Sequence, residues 1–200
     1  MHTIETVGLG VITFVSTNVD DFFLLLAFFA DGRSKKRQVV LGQYLGMGAL
    51  VILSLAVASG TVFLPRGWIS YLGIIPLLIG VRELSQMRKP GGPEKRQHLV
   101  DTAIVSRRSS LAVAGITIAN GADNIGVYVP LFATMRGPDL GIIAVTFSIL
   151  IGVWCAITYW MVKTGHTILR QERWLKFITP IVLILIGLWI LSGIFRRELN

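Results

Sequence analysis

Charge is scarce in this sequence. Of its 200 residues only 15% are Asp, Glu, Lys or Arg, against roughly 25% in an ordinary globular domain. Cysteine is nearly missing as well. Cys155 stands alone, which excludes a disulfide framework, a CxxC redox pair and a cage of several thiolates. No P-loop or other nucleotide motif is present, so nothing couples the chain to ATP hydrolysis. The alternating segments between regular turns that mark a β-barrel are also missing. What is abundant is apolar surface: 53% of residues are hydrophobic and the mean hydropathy is +0.68. That is too much for a water-soluble core to hide and too much for a disordered chain. A net charge of +8 and a pI near 10.2 would suit nucleic acid if the basic residues shared one folded face. They stand instead in short runs between long apolar stretches, so nucleic acid is not the expected partner and the lipid bilayer is.

Six apolar segments lie between the charges. Thr6–Ala30 is interrupted only by Asp20 and Asp21, Val39–Leu64 is uncharged, and Gly67–Val81 extends through Arg82 and Glu83 to about Met87. Ser109–Met135 holds only Asp123, while Leu140–Val162 and Phe177–Phe195 are uncharged. About 20 helical residues cross the hydrocarbon core, and unpaired backbone groups in lipid are too costly for any extended alternative. The first segment is too long, and too acidic at its centre, for a signal-peptide core. The expected fold is an all-α integral membrane protein with six transmembrane helices.

The basic residues then set the topology. Arg33, Lys35, Lys36 and Arg37 follow the first segment. Arg82, Arg88, Lys89, Lys95, Arg96, Arg107 and Arg108 lie between the third and fourth, and Lys163, Arg170, Arg173 and Lys176 between the fifth and sixth. These alternate connections hold fifteen of the 19 lysines and arginines. By the positive-inside rule they face the cytoplasm and both termini lie outside. Residues 88–108, with Pro90, Gly91, Gly92 and Pro93, read as a flexible cytoplasmic linker.

That linker divides the chain into comparable halves, 1–87 and 109–200. Asn18-Val19-Asp20-Asp21 precedes Asn120-Gly121-Ala122-Asp123 by 102 positions, and Leu78-Ile79-Gly80-Val81 resembles Leu185-Ile186-Gly187-Leu188. Each half would be a three-helix repeat. Because three is odd, the second repeat enters the membrane from the opposite side, and inverted repeats of this kind bind substrate at the midplane between paired broken helices.

The midplane is also where the carboxylates are. Asp20, Asp21 and Asp123 all lie near the middle of their segments, where an aspartate costs roughly 2.5–3.5 kcal/mol to insert. Protein partners, water or a bound cation must offset that cost. At about 100° per residue, Thr13, Thr17, Asp20 and Asp21 share one arc of the first helix, with Asn18 just beyond. Thr117, Asn120, Asp123 and Asn124 form a second stripe on the fourth helix. Such oxygen donors suit hard divalent cations such as Mn²⁺, Mg²⁺ or Ca²⁺. Gly121, Gly126 and Pro130 favour a locally unwound second stripe with free carbonyls. The alternative is that the same residues only bond helices to one another.

Asn18-Val19-Asp20-Asp21 followed by Leu24–Ala30, then Gly42-Gln43-Tyr44-Leu45-Gly46, then Gly121-Ala122-Asp123-Asn124-Ile125-Gly126-Val127-Tyr128-Val129-Pro130 resemble the CadD-type cadmium resistance transporters of the LysE superfamily. The resemblance runs over nearly the whole chain. It implies efflux of Cd²⁺ or other divalent ions across a bacterial inner membrane. The metal would be substrate, with no cofactor and no enzymatic activity. Some members similar to this sequence carry a cysteine where Asn120 stands and a single aspartate where Asp20-Asp21 stands. Soft Cd²⁺ favours thiolate, and the two motif helices here offer no sulfur.

The expected ligands are therefore Asp20, Asp21, Asp123, Asn18, Asn120 and Asn124, with Asp21 and Asp123 bonded directly to the ion. Thr17, Thr117, Gln43, Gly121 and Glu83 are expected along the pathway or around the ligands. Three carboxylates crowded together should share at least one proton when no cation is bound. Protons are thus the expected coupling ion of an antiporter. Cys155, Met47 and Met161 read as packing residues. Glu83 reads as an interfacial partner of Arg82 or a gate, and Glu94, His98 and Asp101 as a solvated loop or a weak chelating site. Trp68, Tyr71, Trp160 and Trp174 read as interfacial anchors. Gly42 and Gly46 form a GxxxG motif that fits either packing within one protomer or a homodimer seam. An exporter of a cationic organic solute and an intramembrane aspartyl protease are the competing classes.

Overall fold

The apolar segments fold as helices, but the two that carry Asn-x-x-Asp do not fold as single ones. The computed structural model describes residues 3–31, 34–61, 69, 71–86, 109–121, 123–165 and 172–198, side chains of 86, 172–178 and 193–198 excepted. Eight helices form among them, and no strand: α1 (Thr3–Thr17), α2 (Val19–Asp31), α3 (Lys36–Gly60), α4 (Ile74–Gln86), α5 (Ser110–Asn120), α6 (Ile125–Ala133), α7 (Gly137–Thr164) and α8 (Glu172–Glu198). The linker 88–108, with Glu94, His98 and Asp101, lies outside the described residues, as do Trp68 and the Trp174 side chain. Two helices, α3 and α7, are long and apolar enough to cross a membrane unbroken. The pair α1–α2, bent by 60°, makes a third candidate span.

The bend between α1 and α2 has a local cause. Ser16 and Thr17 donate their hydroxyls back to the carbonyls of Ile12, Thr13 and Phe14, and the Asn18 amide donates to Phe14 O at 2.9 Å. Short polar side chains that occupy carbonyls in this way loosen and bend a helix. The indole of Trp154 in α7 then donates to the Asn18 carbonyl at 3.0 Å. The second break lies between α5 and α6. The Gly121 N–H still closes on Thr117 O at 2.8 Å, and a new helix starts from Asn124, whose carbonyl accepts from Val127 N and Tyr128 N. A side chain at Gly121 would strike Leu50, its Cβ lying 2.5 Å from Leu50 Cδ1.

Helix pairing follows small residues. Helix α3 packs chiefly on α5 and α6, and α7 on α1 and α2. Gly42 and Gly46 let α3 approach α5: Cβ atoms there would meet Val113 and the Ser110 carbonyl, and Thr117 and the Ala114 carbonyl. The GxxxG motif is therefore filled within the protomer. Helices α4 and α8 pair with each other, and their contacts are reciprocal. A Cβ on Gly80 would lie 2.7 Å from Pro180 O and 2.9 Å from the Ile184 side chain. A Cβ on Gly187 would lie 2.8 Å from Gly73 O and 2.8 Å from Leu77 Cβ. Gly80, Gly73 and Leu77 correspond one for one to Gly187, Pro180 and Ile184 at a constant separation of 107 positions.

An aromatic cluster seats the two breaks against α7. Phe14 packs edge-on to Phe147 and Trp154, with centroids at 5.4 and 5.7 Å, and Tyr128 packs on Phe147 at 5.2 Å. Met47, Met161 and Cys155 are buried packing residues. The outer faces carry exposed Ile52, Leu53, Val145, Ile149 and Leu185, a surface that suits lipid and not water.

Candidate functional site

The adjacent aspartates Asp20 and Asp21 sit in the first turn of α2 and face different surroundings. Asp21 is 1% exposed and held by neutral donors. The Asn120 amide donates to its Oδ1 at 2.8 Å, and the Gln43 amide donates to its Oδ2 at 3.2 Å. Gln43 Oε1 in turn accepts from the Thr117 hydroxyl at 2.8 Å. Four expected site residues, Asp21, Gln43, Thr117 and Asn120, therefore form one buried chain across α2, α3 and α5. Gln43 does both things open to it in the sequence, since it reaches the carboxylate and bonds a neighbouring helix.

Asn18 belongs to a second cluster. Its amide donates to Tyr128 Oη at 2.9 Å, and that hydroxyl lies 3.0 Å from Thr17 Oγ1. The Asn18 Oδ1 is buried with no hydrogen-bond partner, as is the Thr13 hydroxyl. Sequence reasoning alone does not single out Tyr128 as a site residue. The signal is present nonetheless: it follows Asn124 by four positions, which places it on the same helical face.

Asp20 turns to a cleft. Its lining includes Thr17, Asp20, Glu83, Asp123, Asn124 and Thr179, together with the apolar Val19, Val127 and Leu183. The free space within it is about 10 Å³, room for roughly one water-sized sphere. Asp123 is exposed at the cleft, whereas Asn124 is only 3% exposed. The sequence offers Glu83 either as an interfacial partner of Arg82 or as a pathway residue. In the structure it is half-buried and lines the cleft, while Arg82 is exposed. The close α4–α8 crossing at Gly80 and Pro180, one turn from Glu83, brings it there.

The six expected ligands thus divide. Asp20, Asp123 and Asn124 share the cleft with Glu83 and Thr17, and Asp21 and Asn120 bond each other behind it. Asn18 bonds Tyr128, and Gly121 sits at the break. Cys155 is buried and does not line the cleft. Among the described residues, no three His, Cys, Asp or Glu side chains stand close enough together to grip an ion directly.

The chain belongs to the cadmium resistance transporter family, whose model matches residues 14–195 and so covers both motifs and both helix breaks. Comparison with curated proteins and with solved structures gives no match. Membership of a transporter family accords with the apolar helices and their lipid-suited outer faces.

Proposed function

We propose that this member of the family is a secondary-active exporter of divalent metal cations, Cd²⁺ or a harder ion such as Mn²⁺, across the bacterial inner membrane. The ion enters the cleft at the two helix breaks and meets Asp20, Glu83, Asp123 and Asn124. The observation that carries this reading is the meeting of three carboxylates from three separate segments at one narrow cleft. Such a cluster is costly in a membrane and is offset by a cation. The all-oxygen lining favours a harder ion than Cd²⁺, and the family points to Cd²⁺ itself. No Lys or Arg stands among the described residues lining the cleft to clamp the carboxylate of an amino acid, which speaks against that class of substrate.

The architecture we propose is six spans in two inverted three-helix repeats, 1–87 and 109–200, joined by a cytoplasmic linker at 88–108, with both termini outside. Two features support it: α3 meets α5–α6 as α7 meets α1–α2, and the α4–α8 contacts are reciprocal. Metal binding requires ionised carboxylates, so loading would release protons and unloading would take them up. The transporter then runs as a proton-for-metal antiporter.

Purified protein in proteoliposomes should move Mn²⁺ or Cd²⁺ uphill when a pH gradient is imposed, with protons flowing the other way. Asp123→Asn should abolish that flux and leave a folded protein, because Asp123 is exposed at the cleft. Normal transport by this variant would refute the site. Metal movement indifferent to pH, with no proton counterflux, would refute the coupling.

A further inference from the structure

Side chains cross between the two helix breaks in both directions. Asp21, in the first turn of α2, bonds Asn120 at the end of α5. Tyr128, one turn into α6, reaches the other way, to the end of α1. Its phenol oxygen lies 2.9 Å from the Asn18 amide nitrogen and 3.0 Å from Thr17 Oγ1. The Thr17 hydroxyl has its own acceptor in the Thr13 carbonyl at 2.9 Å. The phenol therefore donates to Thr17 Oγ1 and accepts from Asn18, using both capacities of a hydroxyl. The Tyr128 N–H meanwhile donates to the Asn124 carbonyl at 2.8 Å. One residue thus holds Asn124 through its backbone and Thr17 and Asn18 through its side chain.

We infer that Tyr128 is a positioning residue whose hydroxyl locks the two breaks together, so that they move as one body. Tyr128 is fully buried and does not line the cleft, so it acts through its neighbours. Thr17 and Asp20 come to the cleft from the first break, and Asp123 and Asn124 from the second. Tyr128 joins these two sets from behind. Its ring is held by Phe132, stacked at 5.8 Å, and by Phe147 at 5.2 Å, which makes the phenol a strut of fixed reach. The first break depends on such a strut. It contains no glycine or proline, and the Asn18 Oδ1 is buried without a partner, so hydrogen bonds orient that amide through its nitrogen. The Trp154 indole fixes the Asn18 carbonyl from α7 but does not reach across to α6.

Tyr128→Phe removes the strut and little else. The ring keeps its packing, and the two Asn18 amide protons keep Phe14 O at 2.9 Å and Thr17 Oγ1 at 3.0 Å. No buried donor is stranded, so the variant should fold. Segments tied in this way open as one cooperative unit, and untied segments open separately. With the strut gone, the first break can move while the second stays. The two sides of the cleft then fall out of step, which slows a change of access without removing any group from the cleft.

Hydrogen–deuterium exchange of the full chain in detergent micelles reads the lock without any metal. In the native protein the amides of Asn18 and Phe22 should open together with those of Val127 and Tyr128. Tyr128→Phe should lower protection of the first pair about two- to tenfold, the worth of a lost hydrogen bond, and spare the second pair. Thr17→Val should give the same split, and the double variant should lose less than the two single losses combined. An equal loss at both breaks, as a merely stabilising hydroxyl would give, overturns the lock. So does unchanged exchange, or full additivity of the two substitutions. The consequence for turnover rests on the proposed metal transport. In proteoliposomes Tyr128→Phe should slow maximal Mn²⁺ flux per folded protein and leave the half-saturating concentration unchanged. Split exchange with normal flux would overturn the part of the lock in transport. Absence of flux in the native protein would overturn the transport reading and leave the lock standing.

Discussion

A methyl group at Gly46 tests how closely packing and site chemistry are tied in this protein. A Cβ there would lie 2.6 Å from Thr117 Cβ and 2.9 Å from the Ala114 carbonyl oxygen, so either α5 retreats or Thr117 turns away. Overpacking of that kind costs about 1–3 kcal/mol. Gly48 lies on the same helix, and a Cβ added there would have nothing within 4 Å. Both substitutions gain the same helix propensity, about 0.8–1.0 kcal/mol from Gly to Ala. The difference between Gly46→Ala and Gly48→Ala therefore isolates the clash. Unfolding of both variants in detergent micelles by denaturant titration should place Gly46→Ala about 1–3 kcal/mol below Gly48→Ala. Thr117 is also the donor to Gln43, and Gln43 holds Asp21. Gly46→Ala should accordingly lose metal flux even under conditions where it remains folded. Equal stability of the two variants would refute the α3–α5 contact, and full flux in a destabilised Gly46→Ala would refute its link to Asp21.

Two further outcomes follow from the same geometry. Cysteines placed at Ser34, Gln97 and Gln171 should all be labelled from the cytoplasmic side, and periplasmic labelling at any two would discard the inverted arrangement. Asn120→Cys puts sulfur beside Asp21 and should raise selectivity for Cd²⁺ over Mn²⁺ when the metals compete for transport; an unchanged ratio would mean that residue 120 never touches the ion.

The helices were legible because nothing but helix satisfies the backbone in long uncharged runs. The second break was legible too, since Gly121, Gly126 and Pro130 surround it. The first was not: it contains no glycine or proline, and it arises from Ser16, Thr17 and Asn18 bonding back to carbonyls one turn earlier. The helical period places Asp20 and Asp21 in one arc. It cannot tell that neighbours about 100° apart will straddle a wall, one in the cleft and the other against α3 and α5. Glu83 could be read in the sequence either as a pathway residue or as an interfacial one. Its distance from the end of its segment fits an interfacial residue, and only the crossing of α4 with α8 turns it inward. The GxxxG motif reads identically whether it packs in one protomer or between two, and the position of α5 decides it.

The reciprocal α4–α8 contacts are the clearest case of structure adding to sequence. The motif helices align at 102 positions and the α4–α8 pair at 107, so no single shift brings both into register. Five extra positions accumulate between the first and third helix of the second half, and a comparison at either offset loses the other match. What a two-fold frame would demand is also sparse. It needs a small residue where α4 and α8 cross, met by Gly80 and Gly187, and a backbone partner on each, met by Pro180 and Gly73. The remaining positions face lipid or apolar neighbours, where Leu, Ile and Val exchange at little cost. Such a frame would survive with few shared letters. The polar residues are not so exchangeable: Asp20, Glu83 and Asp123 line the cleft, and Asp21 lies behind it, bonded to Asn120 and Gln43.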